Sequence, residues 1–391
     1  MNPSLFINFS LLWLLTVTSS QLVAVEDDNG VTNKCLDKER HALLLFKAPL
    51  KDPDGWLSLW RVEDDECCKW SGVTCSNQTS HVTKLNIKNY NLEGEISHSL
   101  VNLSYLNLLD LSSNSFHGNI PTFIGSMTRL ISLDLSYNSF YGNIPPELGN
   151  LTNLEVLRLR DVGRCRVENI EWLSRLSNLE ELKMDGISLA KQNYWVDVIF
   201  SLQKLSYVHL WGCELSQLMA NNFAVVKFPD FLNNLSGCAS LTLQELSAPT
   251  SQLTGLLSDE IQKFSSLKYL DLSHNHFNGT ISAKLWELPR LETLDVSFNT
   301  LRAPTIDHFS SLFNGKYMYM SSCKLGPHFP KWIQTLRNLT ALDLCNTGIS
   351  DTVPMDFWDM WPSQLRYLNL SSNNISGKVP DLSSILPTMQ Q

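Results

Sequence analysis

The 391-residue sequence predicts an α/β repeat fold, a solenoid in which each repeat adds one short strand to a long sheet. Most steps between successive repeats are 24 residues, a length typical of solenoid repeats. The composition is 43% hydrophobic and 18% charged, which excludes wholesale disorder. The decisive observation is that the pattern L-x-L-x-x-N-x-L recurs in LDLSSNSF (109–116), LDLSYNSF (133–140), LDLSHNHF (270–277), LDVSFNTL (294–301) and LNLSSNNI (368–375).

The first residues are typical of a secretory signal peptide. An apolar stretch from Leu5 to Val17 is followed by small residues, and its length suits a signal sequence better than a bilayer span. Only the α-amine supplies positive charge before it, and cleavage after Ser20 or after Ala24 fits the pattern. A buried core helix is the alternative. We expect residues 1–24 to be the signal peptide and the mature chain to fold in an oxidising compartment.

The repeats are counted from the Asn-type position of the pattern, which gives twelve of them. The step from Cys213 to Ser251 is 38 residues long, so we interpret residues 214–250 as an irregular seam holding a degenerate or partly deleted repeat. Insertions of this kind often form loops that contact partners, although a damaged repeat would look the same. The twelve anchors are Tyr90, Asn114, Asn138, Val162, Ile187, Cys213, Ser251, Asn275, Asn299, Cys323, Thr347 and Asn373.

Each position of the pattern has a predicted role. The leucines alternate along the strand and therefore point inward. The Asn amide is expected to satisfy backbone groups of its turn and of the neighbouring coil, and Cys, Thr or Ser partly replaces it. An outward Asp recurs between the leucines, and its regularity makes it part of the scaffold and not a pair of catalytic carboxylates. These aspartates are Asp110, Asp134, Asp271, Asp295 and Asp343.

Repeats four to six break the outward Asp pattern and are the candidate ligand-binding site. A mixture of Arg, Lys, Trp, Tyr and His on neighbouring strands has the composition of a recognition hot spot. Sequence drift in an unimportant part of the solenoid is the alternative. A second, weaker stripe of Tyr269, Tyr317, Tyr319 and Tyr367 is equally explained by cross-strand packing. The candidate residues are Arg158, Arg160, Glu181, Lys183, Asp185, Tyr207, His209 and Trp211.

No catalytic, cofactor or metal motif is found. The sequence has no phosphate-binding G-x-x-x-x-G-K-[ST] loop, no H-E-x-x-H, no G-x-S-x-G and no kinase catalytic loop. The net charge of −9 argues against nucleic acid as the main partner. We therefore expect a binding protein without a cofactor, and not an enzyme.

The segments GNIPTFIGSMTRL (118–130) and GNIPPELGNLTNL (142–154) resemble the plant-type leucine-rich repeat, whose signature is G-x-I-P-x-x-L/I-G. The resemblance covers most of residues 35–382 and implies a right-handed leucine-rich-repeat solenoid. Cys35, KERHALLLFK (38–47), Trp56, Trp60 and CCKWSGVTC (67–75) resemble the N-terminal cap of plant extracellular repeat proteins. We therefore expect a cap over residues 25–80, repeats over 81–385 and a tail over 386–391.

By motif position, the resemblance implies disulfides between Cys35 and Cys67 and between Cys68 and Cys75. A metal site at the adjacent Cys67 and Cys68 is the weaker alternative, because the sequence has no C-x-x-C pair and no His cluster. Five cysteines remain, so at least one is unpaired within the chain. They are Cys165, Cys213, Cys238, Cys323 and Cys345, and the second and fourth of these occupy the anchor position, where a small buried thiol is structural.

Eight N-x-S/T sequons are candidate glycosylation sites. Asn102, Asn150 and Asn338 share one phase of the repeat, where a glycan would lie away from the strand face. Asn369 lies within a strand, where a glycan would crowd the candidate binding face. The eight are Asn77, Asn102, Asn150, Asn234, Asn278, Asn338, Asn369 and Asn374.

Residues 167–191 and VHLWGCEL (208–215) resemble receptor-like proteins of plant immunity, particularly those similar to fungal xylanase receptors. The resemblance implies an extracellular or cell-membrane recognition protein that binds a protein, peptide or glycan on its concave face. A membrane-anchored form would act with a co-receptor kinase. Members of that group continue into further repeats and a membrane span, so we expect a truncated receptor. The alternatives are a secreted inhibitor of a microbial cell-wall-degrading enzyme, similar to polygalacturonase inhibitors, and a nonfunctional or decoy fragment.

Overall fold

A computed structural model describes residues 35–190, 192, 194–215, 239–303, 315–336, 338–358 and 365–378. The chain divides into two compact units, Met1–Thr32 and Asn33–Gln391, and every described residue lies in the second. The expected signal peptide, the tail, Cys238, the sequon at Asn234 and most of the seam lie outside the described residues.

Short strands dominate the described part of the chain. The first helix, α1, spans Asp37–Lys47, and further α-helical segments span Trp195–Phe200, Ala239–Thr242 and Met355–Trp358. The strands are β1 (Val73–Cys75), β2 (Val82–Asn86), β3 (Glu93–Gly94), β4 (Leu108–Asp110), β5 (Ser115–Asn119), β6 (Ser132–Asp134), β7 (Ser139–Asn143), β8 (Val156–Arg158), β9 (Gly163–Arg166), β10 (Glu181–Lys183), β11 (Tyr207–His209), β12 (Glu245–Ser247), β13 (Thr254–Gly255), β14 (Tyr269–Asp271), β15 (His276–Thr280), β16 (Thr293–Asp295), β17 (Thr300–Arg302), β18 (Tyr317–Tyr319), β19 (Ala341–Asp343) and β20 (Tyr367–Asn369).

One long sheet is the backbone of the solenoid. Its order is β1-β2-β4-β6-β8-β10-β11-β12-β14-β16-β18-β19-β20, with β1 antiparallel to β2 and every later pair parallel. The central apolar residue of each strand pairs with that of the next, as Leu109 does with Leu133, so the inward leucines form one continuous core. This arrangement confirms the predicted right-handed repeat solenoid.

Two shorter parallel sheets, β3-β5-β7-β9 and β13-β15-β17, form from the segment that follows the anchor. Most repeats then close with a 3-10 helix. Neighbouring 3-10 helices pack in a row of their own, apart from the long sheet. These helices are His98–Asn102, Thr122–Ser126, Pro146–Asn150, Glu171–Arg175, Asp259–Lys263, Ala283–Glu287 and Lys331–Thr335, and Cys67–Lys69 is a further one in the cap.

The seam does not interrupt the long sheet. β11 pairs directly with β12, and Tyr207, Val208 and His209 align with Glu245, Leu246 and Ser247. Because the two strands are hydrogen-bonded neighbours, no strand of a further repeat lies between them. The 38-residue step therefore adds one strand, β12, to the long sheet. The interpretation of residues 214–250 as a degenerate or partly deleted repeat stays a prediction, since most of these residues lie outside the described ranges.

A ladder of buried Asn amides joins the repeats. In Asn138 the Nδ2 group donates to the carbonyls of Leu111, Leu135 and Ser136 at 3.0, 3.0 and 3.2 Å, and Oδ1 accepts the Phe116 N–H at 3.0 Å. Two of these bonds reach the preceding repeat, so one side chain satisfies backbone groups of two coils. The same arrangement recurs at Asn114, Asn275, Asn299 and Asn373.

Where Asn is replaced, a smaller donor keeps part of the ladder. The Cys323 thiol donates to the Val296 carbonyl at 3.3 Å, and the Cys213 thiol donates to the Met184 carbonyl at 3.2 Å. Burial raises the pKa of the Cys323 thiol to about 12, so it remains a protonated donor. These contacts bear out the structural role expected for a thiol at the anchor position.

The two glycine positions of the G-x-I-P-x-x-L/I-G signature require glycine for different physical reasons. Gly142 has a φ of +83°, a conformation that glycine adopts without strain. Gly125 lies against the next repeat, where a Cβ would stand 2.2 Å from the Glu147 carbonyl oxygen. The signature therefore encodes one turn and one close contact between adjacent repeats.

The cap covers the apolar end of the first repeat. Phe46 of α1 is fully buried, and Glu39, also buried, accepts the Val82 N–H at 2.8 Å and contacts the His81 ring nitrogen at 2.9 Å. Disulfides join Cys35 to Cys67 and Cys68 to Cys75, which confirms the disulfide-bonded cap. An uncovered first repeat would expose its leucines to water, so the cap is part of the folded state.

We expect Asn138→Ala to lower local stability by about 2–4 kcal/mol, because it leaves a buried N–H and buried carbonyls without partners. Hydrogen exchange at the Phe116 amide, which donates to Asn138, measures the effect directly. Asn153→Ala is the matched control, since Asn153 is exposed and donates to a single carbonyl, that of Thr128. Unchanged hydrogen-exchange protection of the Phe116 amide in Asn138→Ala would contradict the stabilising role of the Asn ladder.

Removal of the first disulfide by Cys35→Ala with Cys67→Ala should destabilise the cap by about 2–5 kcal/mol, because the bridge closes a long loop in the unfolded chain. Hydrogen exchange across α1 and limited proteolysis report on the cap separately from the repeats. Cys345→Ala, which removes a cysteine that forms no disulfide with another described residue, should leave α1 unchanged. Titration of four reactive thiols at the cap cysteines of the native protein would refute the bridges.

Candidate functional site

The eight candidate residues lie together on three neighbouring strands of the long sheet. They occupy β8, β10 and β11, or the residues directly after these strands, and the register aligns Arg158 with Lys183 and His209. The fold thus assembles the cluster that the sequence analysis proposed. Whether the cluster binds a ligand stays a proposal.

The charged members pair with one another, forming what we call the charge network: Asp134, Arg158, Arg160, Glu181, Lys183 and Asp185. Arg158 donates to both carboxylate oxygens of Glu181, through Nε at 2.7 Å and Nη2 at 2.8 Å. Lys183 lies 2.9 Å from the same carboxylate, and Arg158 also approaches Asp134 at 3.7 Å. A bidentate Arg–carboxylate pair of this kind is well ordered and strong for a surface ion pair.

Glu181 is the centre of the charge network. Its burial acts to raise its pKa, but the hydrogen bonds from Arg158 and Lys183 oppose that effect and are stronger, so the pKa is lowered to about 2. Glu181 is therefore ionised at every physiological pH and holds the two cations in place. The basic residues are preorganised, and their charge is largely balanced within the protein.

Asp185 was expected to face a ligand, but the structure places it inside the protein. Its side chain is 1% exposed, and its carboxylate pairs with Arg160 Nε at 2.5 Å and accepts the Trp211 N–H at 2.9 Å. These contacts tie β10 to the turn that follows β11. Asp185 thus positions Arg160 and Trp211, and it offers no surface of its own.

Aromatic side chains are the most exposed members of the cluster. Trp211 is 48% exposed and Tyr207 is 37% exposed, while the Arg160 guanidinium lies 5.6 Å from the ring centre of Tyr137. His209 faces Glu245 of the next strand, with Nε2 3.0 Å from a carboxylate oxygen. Tyr137 and Glu245 could not be assigned to the cluster from the sequence, because Tyr137 lies one repeat before Arg160 and Glu245 lies one repeat after His209.

The weaker tyrosine stripe is divided by the structure into two columns. Tyr269, Tyr317 and Tyr367 each begin a strand and share a column, whereas Tyr319 lies two residues further along β18 and aligns with Asp295 and Asp343. Tyr207 belongs to the first column as well. The alignment could have been found by writing the repeats under one another from the first strand residue.

The sequons fall at several places in the repeat. Asn150 and Asn102 are the last residues of 3-10 helices, and Asn338 follows shortly after another, away from the long sheet. Asn369 lies in β20, where its Nδ2 group donates to Asp343 at 3.1 Å, and a glycan on this nitrogen would replace one of its two hydrogens. Exposed side chains are found at Asn77, Asn150, Asn278, Asn338 and Asn374.

The cysteines give no metal site in the described part of the chain. The one close group of potential ligands there is Cys35, Cys67 and Cys68, and both disulfides draw on these sulfur atoms. Cys165, Cys213, Cys323 and Cys345 form no disulfide among the described residues. In the same residues no helix has the length and hydropathy of a membrane span.

Family comparisons agree with this geometry. Residues 36–76 match the family described as "Leucine rich repeat N-terminal domain", and residues 60–248 match "Leucine-rich repeat region". Residues 266–288 and 364–385 match "Leucine Rich Repeat". The chain belongs to the leucine-rich-repeat proteins. Its repeats and cap are of the plant extracellular type, and it is similar to plant receptor-like proteins.

Among curated relatives, receptor-like protein EIX1 of Solanum lycopersicum is 28% identical, over 90% of this chain and 54% of that protein. The chain thus spans about half the length of this relative. Receptor-like protein EIX2 of the same species is 41% identical over 26% of this chain and 10% of its own length.

Among solved structures, the ectodomain of the Arabidopsis receptor kinase HAESA, in complex with an N-terminally extended IDA peptide hormone, is 26% identical with a TM-score of 0.69. That match covers 88% of this chain and 59% of the HAESA chain. A second HAESA structure, in complex with IDA and the co-receptor SERK1, has a TM-score of 0.71 at 23% identity over 91% of this chain and 61% of its own. The leucine-rich-repeat fold is therefore shared over most of the chain.

The pKa of Glu181 gives a testable pH dependence for Glu181→Gln. Because the folded pKa lies below the ordinary value of 4.5, ionised Glu181 stabilises the fold above that pH, and the contribution is lost as the pH falls towards about 2. The variant should be less stable than the parent at neutral pH, and the difference should shrink over that acidic window. Urea unfolding at a series of pH values measures it. The exposed Glu155→Gln is the control, and a difference independent of pH would contradict the charge network.

Proposed function

We propose that this protein is an extracellular recognition protein of the plant receptor type, which binds a peptide ligand on the exposed face of its long sheet. The main support for this proposal is the cluster on β8, β10 and β11, where Tyr207 and Trp211 are exposed beside preorganised Arg158 and Lys183. Exposed aromatic and Arg side chains on a rigid surface are the residues that most often dominate binding energy. The regular scaffold supplies the rigidity.

Relatives support a ligand-binding receptor. The HAESA ectodomain, which shares the fold at 26% identity, was solved with a peptide hormone, and the curated relatives from tomato are named receptor-like proteins. We favour a peptide over a protein or glycan ligand for this reason. A role in plant defence, which the likeness to EIX1 suggests, is part of the proposal. Inhibition of a microbial enzyme is not favoured by any contact in the described residues.

The proposal extends to location and organisation. We propose that residues 1–24 direct the chain to the secretory pathway, that the cap spans 25–80 and that the repeats span 81–385. The match of residues 36–76 to the N-terminal domain of the family supports the cap. A co-receptor kinase is a proposed partner of any membrane-anchored form, by analogy with the HAESA complex that contains SERK1. Binding, and not catalysis, is the proposed activity.

A capture experiment tests the proposal. The secreted protein is immobilised, exposed to the peptide fraction of plant apoplastic fluid, and the retained peptides are identified by mass spectrometry. Tyr207→Ala with Trp211→Ala should reduce their retention at least about tenfold, because the exposed anchors are lost while no ion pair is broken. Tyr141→Ala is the matched control, since Tyr141 is an exposed aromatic on β7, outside the long sheet.

Equal retention by the double variant and the parent, with both folded by circular dichroism, would refute the assigned surface. Failure of the parent to retain any peptide would refute the peptide ligand.

A further inference from the structure

Tyrosines occupy alternate strands in the second half of the long sheet. Tyr207, Tyr269, Tyr317 and Tyr367 begin β11, β14, β18 and β20, and the strands between them begin with Glu245, Thr293 and Ala341. Simple cross-strand packing would favour tyrosines on adjacent strands, about 4.8 Å apart. Here two strand spacings, about 9.6 Å, separate them.

This alternation creates two slots of the same strand spacing. The first slot lies between Tyr269 and Tyr317 above Thr293, and the second lies between Tyr317 and Tyr367 above Ala341. Tyr317 and Tyr367 are 38% and 39% exposed, so the slots open to solvent. The corresponding gap between Tyr207 and Tyr269 is closed by Glu245, which pairs with His209.

Each slot has a carboxylate beside its floor. Asp295 follows Thr293 by two residues, Asp343 follows Ala341 in the same way, and Asp271 occupies the same position on β14. One oxygen of Asp295 accepts the Ser297 N–H at 2.9 Å, and one oxygen of Asp343 accepts the Tyr367 hydroxyl at 3.1 Å. The hydrogen bonds hold the carboxylates at fixed positions on the sheet face.

The slots differ from the charge network in having no cation. Within the described ranges, no ion pair joins a Lys or Arg to Asp271, Asp295 or Asp343, whereas Glu181 alone has two cations. Burial and the neighbouring Asp271 raise the pKa of Asp295. A positive group at the slots would relieve this repulsion, while an anionic ligand would increase it.

We propose that the two slots bind an extended cationic peptide, with one Lys or Arg side chain in each slot. Tyr rings flank the side chain on both sides, where a cation is attracted to the ring faces, and the Asp carboxylate faces the charged group. The slots are repeated at about 9.6 Å along the sheet. This matches residues i and i+3 of an extended polyproline II chain, whose side chains lie on the same side about 9.3 Å apart because the chain has three residues per turn and rises about 3.1 Å per residue. This inference rests on the proposed function and names the chemistry of its ligand.

The test uses synthetic peptides with blocked termini and isothermal titration calorimetry at low ionic strength, where screening is weakest. Gly-Arg-Ala-Ala-Arg-Gly has the required spacing, Gly-Ala-Arg-Arg-Ala-Gly has the same charge with the wrong spacing, and Gly-Glu-Ala-Ala-Glu-Gly has the opposite charge. The first peptide should bind at least about tenfold more tightly than the second, and the third should not bind.

Asp295→Asn with Asp343→Asn should weaken binding of the first peptide at least about tenfold, because both carboxylate charges are lost at constant shape. Asp110→Asn is the matched control: Asp110 has the same position on β4 and the same Ser contact, but no tyrosine slot. Tyr317→Ala, which opens both slots at once, is a second variant with Tyr141→Ala as its control. Circular dichroism and thermal unfolding establish that each variant is folded.

Equal affinity for the three peptides, or unchanged affinity in the folded Asp295/Asp343 variant, would overturn the proposal. The outcome is separable from that of the capture experiment. Capture of apoplastic peptides without binding of the dibasic peptide would refute the slots and leave the proposed function intact. Binding of the dibasic peptide without any capture would uphold the slots and refute the proposed function. Preference for a polyanion, such as an acidic glycan, would overturn the proposal as well.

Discussion

The buried amide of the ladder asparagine is the interaction on which the remaining structure depends. Each coil of a solenoid turns sharply after its strand, and the turn leaves backbone groups that the sheet cannot satisfy. A single Asn side chain, with two N–H donors and one carbonyl acceptor, satisfies groups of its own coil and of the preceding one. Because both coils must be present, the ladder holds the repeats in register and makes their stability cooperative.

Since the inward side chains and the ladder hold the scaffold together, the outward strand residues are free to vary. The structure shows two different uses of that freedom on one sheet. Strands β8 and β10 carry Arg158 and Lys183, which pair with the carboxylate of Glu181, whereas in the described residues Asp271, Asp295 and Asp343 of β14, β16 and β19 form no ion pair with a Lys or Arg. The same backbone geometry thus presents two surfaces of different electrostatic character, side by side.

The fold was predictable from sequence because its signals are local and repeated. The spacing of Leu109, Leu111 and Asn114 within one repeat already determines which side chains point inward. The cap was predictable from its cysteine motif. The candidate cluster was identified from composition, but its internal pairing was not, because Arg158 meets Glu181 across 23 residues of sequence.

Asp185 illustrates the limit of the sequence pattern. Its place after a strand suggested an outward carboxylate, but its depth depends on contacts with Arg160 of the preceding repeat and Trp211 of the following one. The alternation of tyrosines, in contrast, could be found from the sequence by aligning the repeats at the first strand residue. The burial of Asp185 depends on side-chain contacts between repeats, which such an alignment does not show.

The direct pairing of β11 with β12 shows that the length of the segment between two strands and the hydrogen-bond register of those strands are independent in this fold. Chain length between these strands is 12 residues greater than between β10 and β11, as the paired residues Glu181, Tyr207 and Glu245 show, yet the hydrogen-bond register is the same. A coil can therefore be lengthened without moving the surface on either side of it. For protein engineering, this makes the seam a natural position to insert a reporter domain, so that an optical signal could be attached to the scaffold while its recognition face stays unchanged.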